Sequence, residues 1–282
     1  MNFEIIPAHD LPLAEQAAAF TDAFDGYVGG SFAMDAAGLG RFICAQGADL
    51  CFSRFARNAK GLCGFGYVSR TGNVARLGGM GVIASVRRSG VARGLLAHLL
   101  EEAAARRDRM MVLEVIEQNP PACALYRREG FREMGKLCGW RRMAPTGETA
   151  RTETLPALEE ISVIAASQLP SAQEYPELPW AISRHAIAKM VPGRAYSSGR
   201  ATVVIGDPEI EGPVRVHALI STAIGAPDWA AMRETFSAML ALHRDREFFA
   251  PAVFPEEFGT NLFAPLGFQR EPLSQFLMRY DL

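Results

Sequence analysis

The 282-residue sequence predicts an α/β (α+β) fold that is built twice in one chain. Three observations lead there. Strand-like and helix-like apolar patterns alternate along the chain. A glycine-rich strand, a long amphipathic helix and a second apolar strand form one parallel crossover. The second half then repeats the first at a fixed offset, the signature of internal duplication. A chain of this length also exceeds one compact core, and two domains of about 140 residues are its natural division.

Taken in order, Phe3 to Pro7 reads as a first strand, and Leu11 to Phe24 as an alanine-rich helix with apolar residues at helical spacing. Residues 25–47 contain Gly29-Gly30 and further breakers, which predicts loop and short helix. Strands follow near Leu50–Phe55 and Gly61–Ser69, with a turn at Arg70-Thr71-Gly72-Asn73. Ala75 to Ile83 is a strand carrying Gly78, Gly79 and Gly81. The clearest helix runs from Gly90 to about Arg107, with Leu95, Leu96, Leu99, Leu100, Ala103 and Ala104 on one face. Met110 to Ile116 is a strand. Pro120-Pro121 opens a short helix that ends at Glu129-Gly130, where glycine suits a left-handed cap. Phe131 to Met143 supplies the last strand or strand pair of this half.

Residues 144–160 are polar and turn-rich, which puts the domain boundary there, with domains at 1–145 and 155–282. Shifting the sequence by 137 positions brings the halves into register without a gap. Val82-Ile83 falls on Leu219-Ile220, Leu95 on Met232, Leu99 on Phe236 and Ala103 on Leu240. The strand Met111–Ile116 falls on Phe248–Val253, and Gly130-Phe131 on Gly267-Phe268. One matching Gly-Phe corner means little, but helix, strand and corner agree together.

Composition narrows the function classes. A formal charge of −2, from 29 Lys+Arg against 31 Asp+Glu, gives no electrostatic case for nucleic acid. Five scattered cysteines, odd in number and without a CxxC pair, argue against a disulfide framework or a structural zinc site. The five histidines are isolated, and no metal is expected. Met1-Asn2-Phe3-Glu4 lacks the basic-then-apolar layout of an export signal, and no apolar run approaches the roughly 18–20 residues of a membrane helix. The expectation is a cytoplasmic protein without membrane contact.

The segment from Val82 to Gly94 carries the chemistry. A strand runs into a tight turn and then a helix whose first residues are small. Such a helix start leaves backbone N–H groups without partners at the positive end of the helix dipole. Those groups suit a pyrophosphate if side chains leave room, and Gly90 and Ala92 do so while Arg88 and Arg93 add charge. Read alone, the segment is equally a glycine-softened helix start with solvated arginines.

Arg87-x-x-Gly90-x-Ala92 resembles the (Gln/Arg)-x-x-Gly-x-(Gly/Ala) signature of the GNAT superfamily of N-acetyltransferases. The stretch Leu113 to Asn119, followed by Ala124-Leu125-Tyr126 and Gly130-Phe131, is similar to that family's next strand and helix, at its usual separation. The likeness covers residues 2–143; the second half resembles the family as a worn copy. It implies a mixed, mostly antiparallel central sheet with flanking helices, the acyl-CoA N-acyltransferase fold, with acetyl-CoA as acyl donor. On that resemblance, backbone at Gly81 and Val82 pairs with the pantetheine arm. The segment Arg87, Arg88, Ser89, Gly90, Val91, Ala92 and Arg93 holds the pyrophosphate, Asn119 contacts pantetheine, and Tyr126 sits beside the thioester sulfur. Ala84 departs from the proline that many relatives carry at the bend.

The expected reaction is direct attack of a primary amine, on a small molecule or peptide, upon the thioester. A backbone N–H near Val82 would stabilise the oxyanion, and Tyr126 would protonate the thiolate, whose reference pKa is near 8.5. An ammonium with pKa near 10.4 is neutral only about once in a few thousand at pH 7, a cost of about 4–5 kcal/mol, so a base or a water chain should help. Glu114 and Glu117 point to opposite strand faces, and Glu114 is the preferred candidate. In the 137-residue register Gly90 becomes Pro227, Ala92 Trp229, Tyr126 Phe263 and Asn119 Glu256, each unfavourable to the cofactor. The second domain is therefore expected to bind no coenzyme A, and either to cover the acceptor side or to form a subunit contact, as in a homodimer. A non-catalytic acyl-CoA sensor or assembly protein is the competing class.

Overall fold

The computed structural model describes residues 3–30, 33–145, 155–171, 173–190 and 192–282. Met1, Asn2 and most of the expected linker, residues 146–154, lie outside the described residues. The chain divides into two compact units, one of Met1–Met134 with Phe276–Leu282 and one of Gly135–Gln275.

The first unit opens with β1 (Glu4–Pro7), a 3₁₀ turn at Ala8–Asp10 and α1 (Leu13–Ala23). The helix starts two residues later than the apolar pattern suggests because Pro12 stands at the N-cap, where its missing N–H costs nothing. The glycine-interrupted stretch after it holds a full helix, α2 (Ala36–Gln46), with signals at both ends. Asp35 caps it by accepting from the Gly38 amide at 2.6 Å, and Gly47 closes it at φ 61°.

Strands β2 (Ala48–Asn58), β3 (Gly61–Thr71) and β4 (Val74–Val82) form an antiparallel meander. The crossover helix α3 (Val91–Ala105) leads to β5 (Met110–Ile116), which pairs parallel to β4. Then follow α4 (Pro120–Arg128) and β6 (Arg132–Arg142). The strand order is β1-β2-β3-β4-β5, followed by the end of the last strand of the chain. Leu95, Leu96, Leu99 and Ala103 of α3 are buried against Leu77, Met111 and Leu113, while Ala104, expected on this face, is exposed. Burial of this kind stabilises by about 1.5–3 kcal/mol per large side chain.

The second unit contains β7 (Glu159–Ile161), α5 (Val163–Gln168), α6 (Arg184–Ile187), β8 (Gly193–Ser197), β9 (Ala201–Gly206) and β10 (Val214–Ser221). It continues with α7 (Trp229–Leu242), β11 (Phe248–Pro255), an irregular helical stretch through Leu266 and β12 (Gln269–Asp281). Its order is β12-β6-β11-β10-β9-β8-β7, with β10 and β11 parallel. The duplication is therefore visible element by element: β4–α3–β5 shifted by 137 overlies β10–α7–β11, and Gly130 and Gly267 both take positive φ, 95° and 81°. The last strands are exchanged. Residues 276–282 complete the first unit, with the Leu282 amide donating to Arg109 O at 3.1 Å, whereas most of β6 belongs to the second. Among the described residues no helix is long and apolar enough to cross a membrane.

Candidate active site

The site begins where β4 and β5 part. Their parallel pairing runs from Val74↔Met110 to Leu77↔Leu113 and stops. At the same point the register of β3 with β4 passes from Val68↔Leu77 to Tyr67↔Gly79, which leaves Gly78 as the extra residue of a β-bulge. Beyond it, β4 is held by β3 alone. The Ile83 amide donates to Cys63 O at 3.1 Å, so by alternation the backbone groups of Met80 and Val82 turn toward the open edge. A Cβ on Gly81 would approach Ala23 Cβ and the Phe65 ring to 2.9 Å, so only glycine allows helix and strand to meet this closely.

The turn that follows is braced from one side. Arg87 donates through Nε to Val82 O at 3.1 Å and through Nη2 to Ala23 O at 3.0 Å, tying the strand end to α1. Arg88 takes φ 64° and Gly90 φ 92°, the left-handed conformation that glycine adopts without strain. No side chain caps α3. The amides of Arg88, Gly90, Val91, Ala92 and Arg93 donate to no protein acceptor among the described residues. Gly94 is the first to find one, Gly90 O at 2.9 Å.

These amides face one end of a cleft of about 760 Å³, lined by β4, the turn, α4 and the loop after α1. Gly81, Val82, Arg87, Arg88, Gly90, Ala92, Arg93, Asn119 and Tyr126 all line it. Val91 and Ser89 do not. The Val91 side chain is fully buried, leaving only its amide, and the Ser89 hydroxyl donates to Val86 O at 2.6 Å. Asn119 caps α4 by accepting from the Ala122 amide at 3.4 Å. Tyr126 is 8% exposed, stands edge-on to Phe131 and points its hydroxyl toward Met80 Sδ at 3.8 Å. Burial, reinforced by Tyr27 and Cys123 nearby, raises the pKa of its phenol above the ordinary value. The group therefore keeps its proton at neutral pH.

Glu114 requires a correction. Its carboxylate is not free at the cleft but forms a buried ion pair with Arg76, at 2.7 Å, with both side chains under a tenth exposed. Arg76 also donates to Gln46 Oε1 at 3.0 Å. Both carboxylate oxygens already accept from the guanidinium, and sequence spacing carries no sign of such a cross-strand pair. The sequence reading also missed Tyr27, which lines the cleft beside Asn119 and stands edge-on to Phe24. Its position among Gly26, Gly29 and Gly30 concealed it. Among the described residues no cluster of His, Cys, Asp or Glu could hold a metal ion.

A sheet opened beside a bulge, a helix start with free amides and a phenol meet in one cleft of an α/β unit. Residues 25–131 match the model of the Acetyltransferase (GNAT) family. The matched residues lie within the first unit, which is thus similar to that family. Over the whole chain the fold is that of solved GNAT proteins. A provisionally assigned acetyltransferase from Pyrococcus horikoshii aligns with a TM-score of 0.64 at 14% identity, covering 100% of this chain and 89% of the other. A GCN5-related N-acetyltransferase from Sphaerobacter thermophilus gives 0.62 at 13%, covering 99% and 95%. A tandem GNAT protein from the clavulanic acid biosynthesis pathway gives 0.60 at 15%, covering 99% and 98%. No curated protein matches.

Proposed function

We propose that this chain is an N-acetyltransferase that moves an acetyl group from acetyl-CoA to a primary amine of a small-molecule or peptide acceptor, using the first unit alone. The observation that carries the reading is one cleft with free helix-start amides at one end and the Tyr126 phenol at the other. The residues present fit coenzyme A. The amides from Gly90 to Arg93 would hold the diphosphate, and the open edge at Met80 and Val82 would pair with the pantetheine amides as an added strand. Arg88 and Arg93 would add positive charge at the mouth, although Arg93 already contacts Glu129 at 3.2 Å.

In the reaction the amine nitrogen attacks the thioester carbon, and negative charge develops on its oxygen. An outward-facing amide of β4 would stabilise that charge. The C–S bond breaks, the sulfur takes the proton of Tyr126, and the proton shed by the acylated nitrogen passes to solvent, from which the Tyr126 phenolate recovers one. Glu114 has no part in that transfer because Arg76 holds it. The reading includes a cytoplasmic enzyme without metal, nucleic-acid or membrane partners, and a second unit that binds no coenzyme A. Homodimer formation is part of the same proposal and is read by sedimentation.

The test is coenzyme A release, followed by thiol titration across a panel of amines with acetyl-CoA as donor. Turnover with at least one amine, abolished by Ala92→Trp, supports the reading. Tight acetyl-CoA binding without turnover of any amine would favour an acyl-CoA sensor or assembly protein. No binding at all would refute the proposal.

A further inference from the structure

We infer that Arg76 is a positioning residue for the transfer: its buried guanidinium holds open the slot that receives the thioester. The inference rests on the acetyltransferase reading above and deepens it. Three facts converge on this side chain. Arg76 lies one residue before the last registered pair of β4 and β5, Leu77↔Leu113, and reaches diagonally to Glu114, the first residue of β5 beyond that pair. Its Nε donates to Glu114 Oε2 at 2.9 Å, so the ion pair sits at the fork itself. Gly78, the bulged residue, has no side chain where the guanidinium crosses; a Cβ there would lie 2.9 Å from Arg76 Nη1.

The same guanidinium reaches Gln46 at the end of α2, and α2 covers the open segment of β4, with the Phe42 ring 3.3 Å from where a Gly79 Cβ would stand. One planar cation with a fixed fork of donors therefore fastens two diverging strands and a covering helix at the point of divergence. A buried ion pair is poor at adding stability, because desolvation offsets the attraction, and specifying one geometry is the use best suited to it. Loss of the cation would let β5 zip further along β4 and narrow the slot, or let α2 shift over it. Either change misaligns the thioester with the oxyanion-binding amide and Tyr126.

The full-length chain, Arg76→Met, Arg76→Lys and Gln46→Ala are compared by acetyl-CoA titration, steady-state kinetics and thermal unfolding. Arg76→Met is expected to raise KM for acetyl-CoA and lower kcat, each at least tenfold, at a temperature where the variant is fully folded. Arg76→Lys, which keeps the charge but not the fork, recovers less than half of the lost kcat/KM. Gln46→Ala, at a partly exposed helix end, is expected to fold normally and to lose about two- to fivefold in kcat/KM. A folded Arg76→Met with wild-type kcat and KM would overturn the inference and leave the acetyltransferase reading intact. Should Arg76→Met not fold, wild-type kinetics of Gln46→Ala would overturn it instead. Wild-type protein that binds no acetyl-CoA would remove the functional reading and this inference together.

Discussion

The start of α3 in the first unit and the start of α7 in the second occupy equivalent positions, and they treat their orphan amides in opposite ways. At α3 the N-cap is Gly90, which brings no side chain, and the following amides are left open onto a cleft. At α7 the N-cap is Asp228, whose carboxylate accepts from the Ala231 amide at 3.0 Å. That hydrogen bond and Arg200 hold the Asp228 carboxyl below the usual carboxylate range, so the second unit carries its own anion where the first leaves room for one. Trp229 stands edge-on to Phe258 at 5.1 Å, over the position held by Ala92 in the first unit. The far end differs as well. Tyr126 reaches a cleft, whereas its counterpart Phe263 is fully buried between Trp140, Phe236, Phe254 and Phe268. Both units keep a parallel pair that ends early, at Leu77↔Leu113 and Arg215↔Phe249. The early end of the parallel pair is common to both, while the helix start and the side chains around it differ.

Making the first unit resemble the second breaks the comparison most directly. Ala92→Trp should weaken acetyl-CoA binding at least a hundredfold by calorimetry, with little change in the unfolding midpoint, since Ala92 is only partly buried and opens onto the cleft. Tyr126→Phe should lower kcat about a hundredfold while leaving KM for acetyl-CoA within threefold, because only the departing thiolate needs the proton. The alkaline limb of the wild-type pH–rate profile should not fall below about pH 10, since burial raises the Tyr126 phenol and keeps it protonated.

Stability in the second unit supplies a sharper, smaller effect. His217 stands at the position of Met80, and burial, with Arg215 alongside, lowers its pKa to about 4. Its Nδ1 has no hydrogen-bond partner among the described residues. The unfolded imidazole takes a proton near pH 6.5, but the folded one resists until about pH 4. The stability from this group is therefore complete above about pH 6.5 and lost as the pH falls toward 4, by about 3 kcal/mol. Urea titrations of wild type and His217→Met across that window should differ in slope, with the variant flatter. The smallest effect is expected of Asp228→Ala. Loss of the cap should lower the unfolding midpoint by about 2–4 °C, without creating a second coenzyme A site, because Trp229 remains.

The repeated core was legible because its pattern is local. Apolar spacing fixes α3 and β5, Pro120 and Gly130 bracket α4, and a 137-residue shift carries these marks to the second unit. The extent of α2, in a stretch that reads as loop and short helix, was hidden because Gly38 and Gly40 interrupt its apolar face, although Asp35 and Gly47 mark its ends. The open turn was readable, since small residues after a strand are a sequence property. The ion pair of Arg76 with Glu114 was not, because it joins residues 38 apart whose meeting depends on strand register. For the same reason the exchange of final strands left no trace in a periodicity analysis. Equivalent sequences at β6 and β12 look alike whichever unit each one completes.

The most direct measurement is the stoichiometry of acetyl-CoA binding to the full chain by calorimetric titration, repeated on Ala92→Trp. One mole bound per chain in wild type and none in the variant is the predicted result. Two moles per chain, or one that survives Ala92→Trp, would place a thioester site outside the α3 turn and contradict the account.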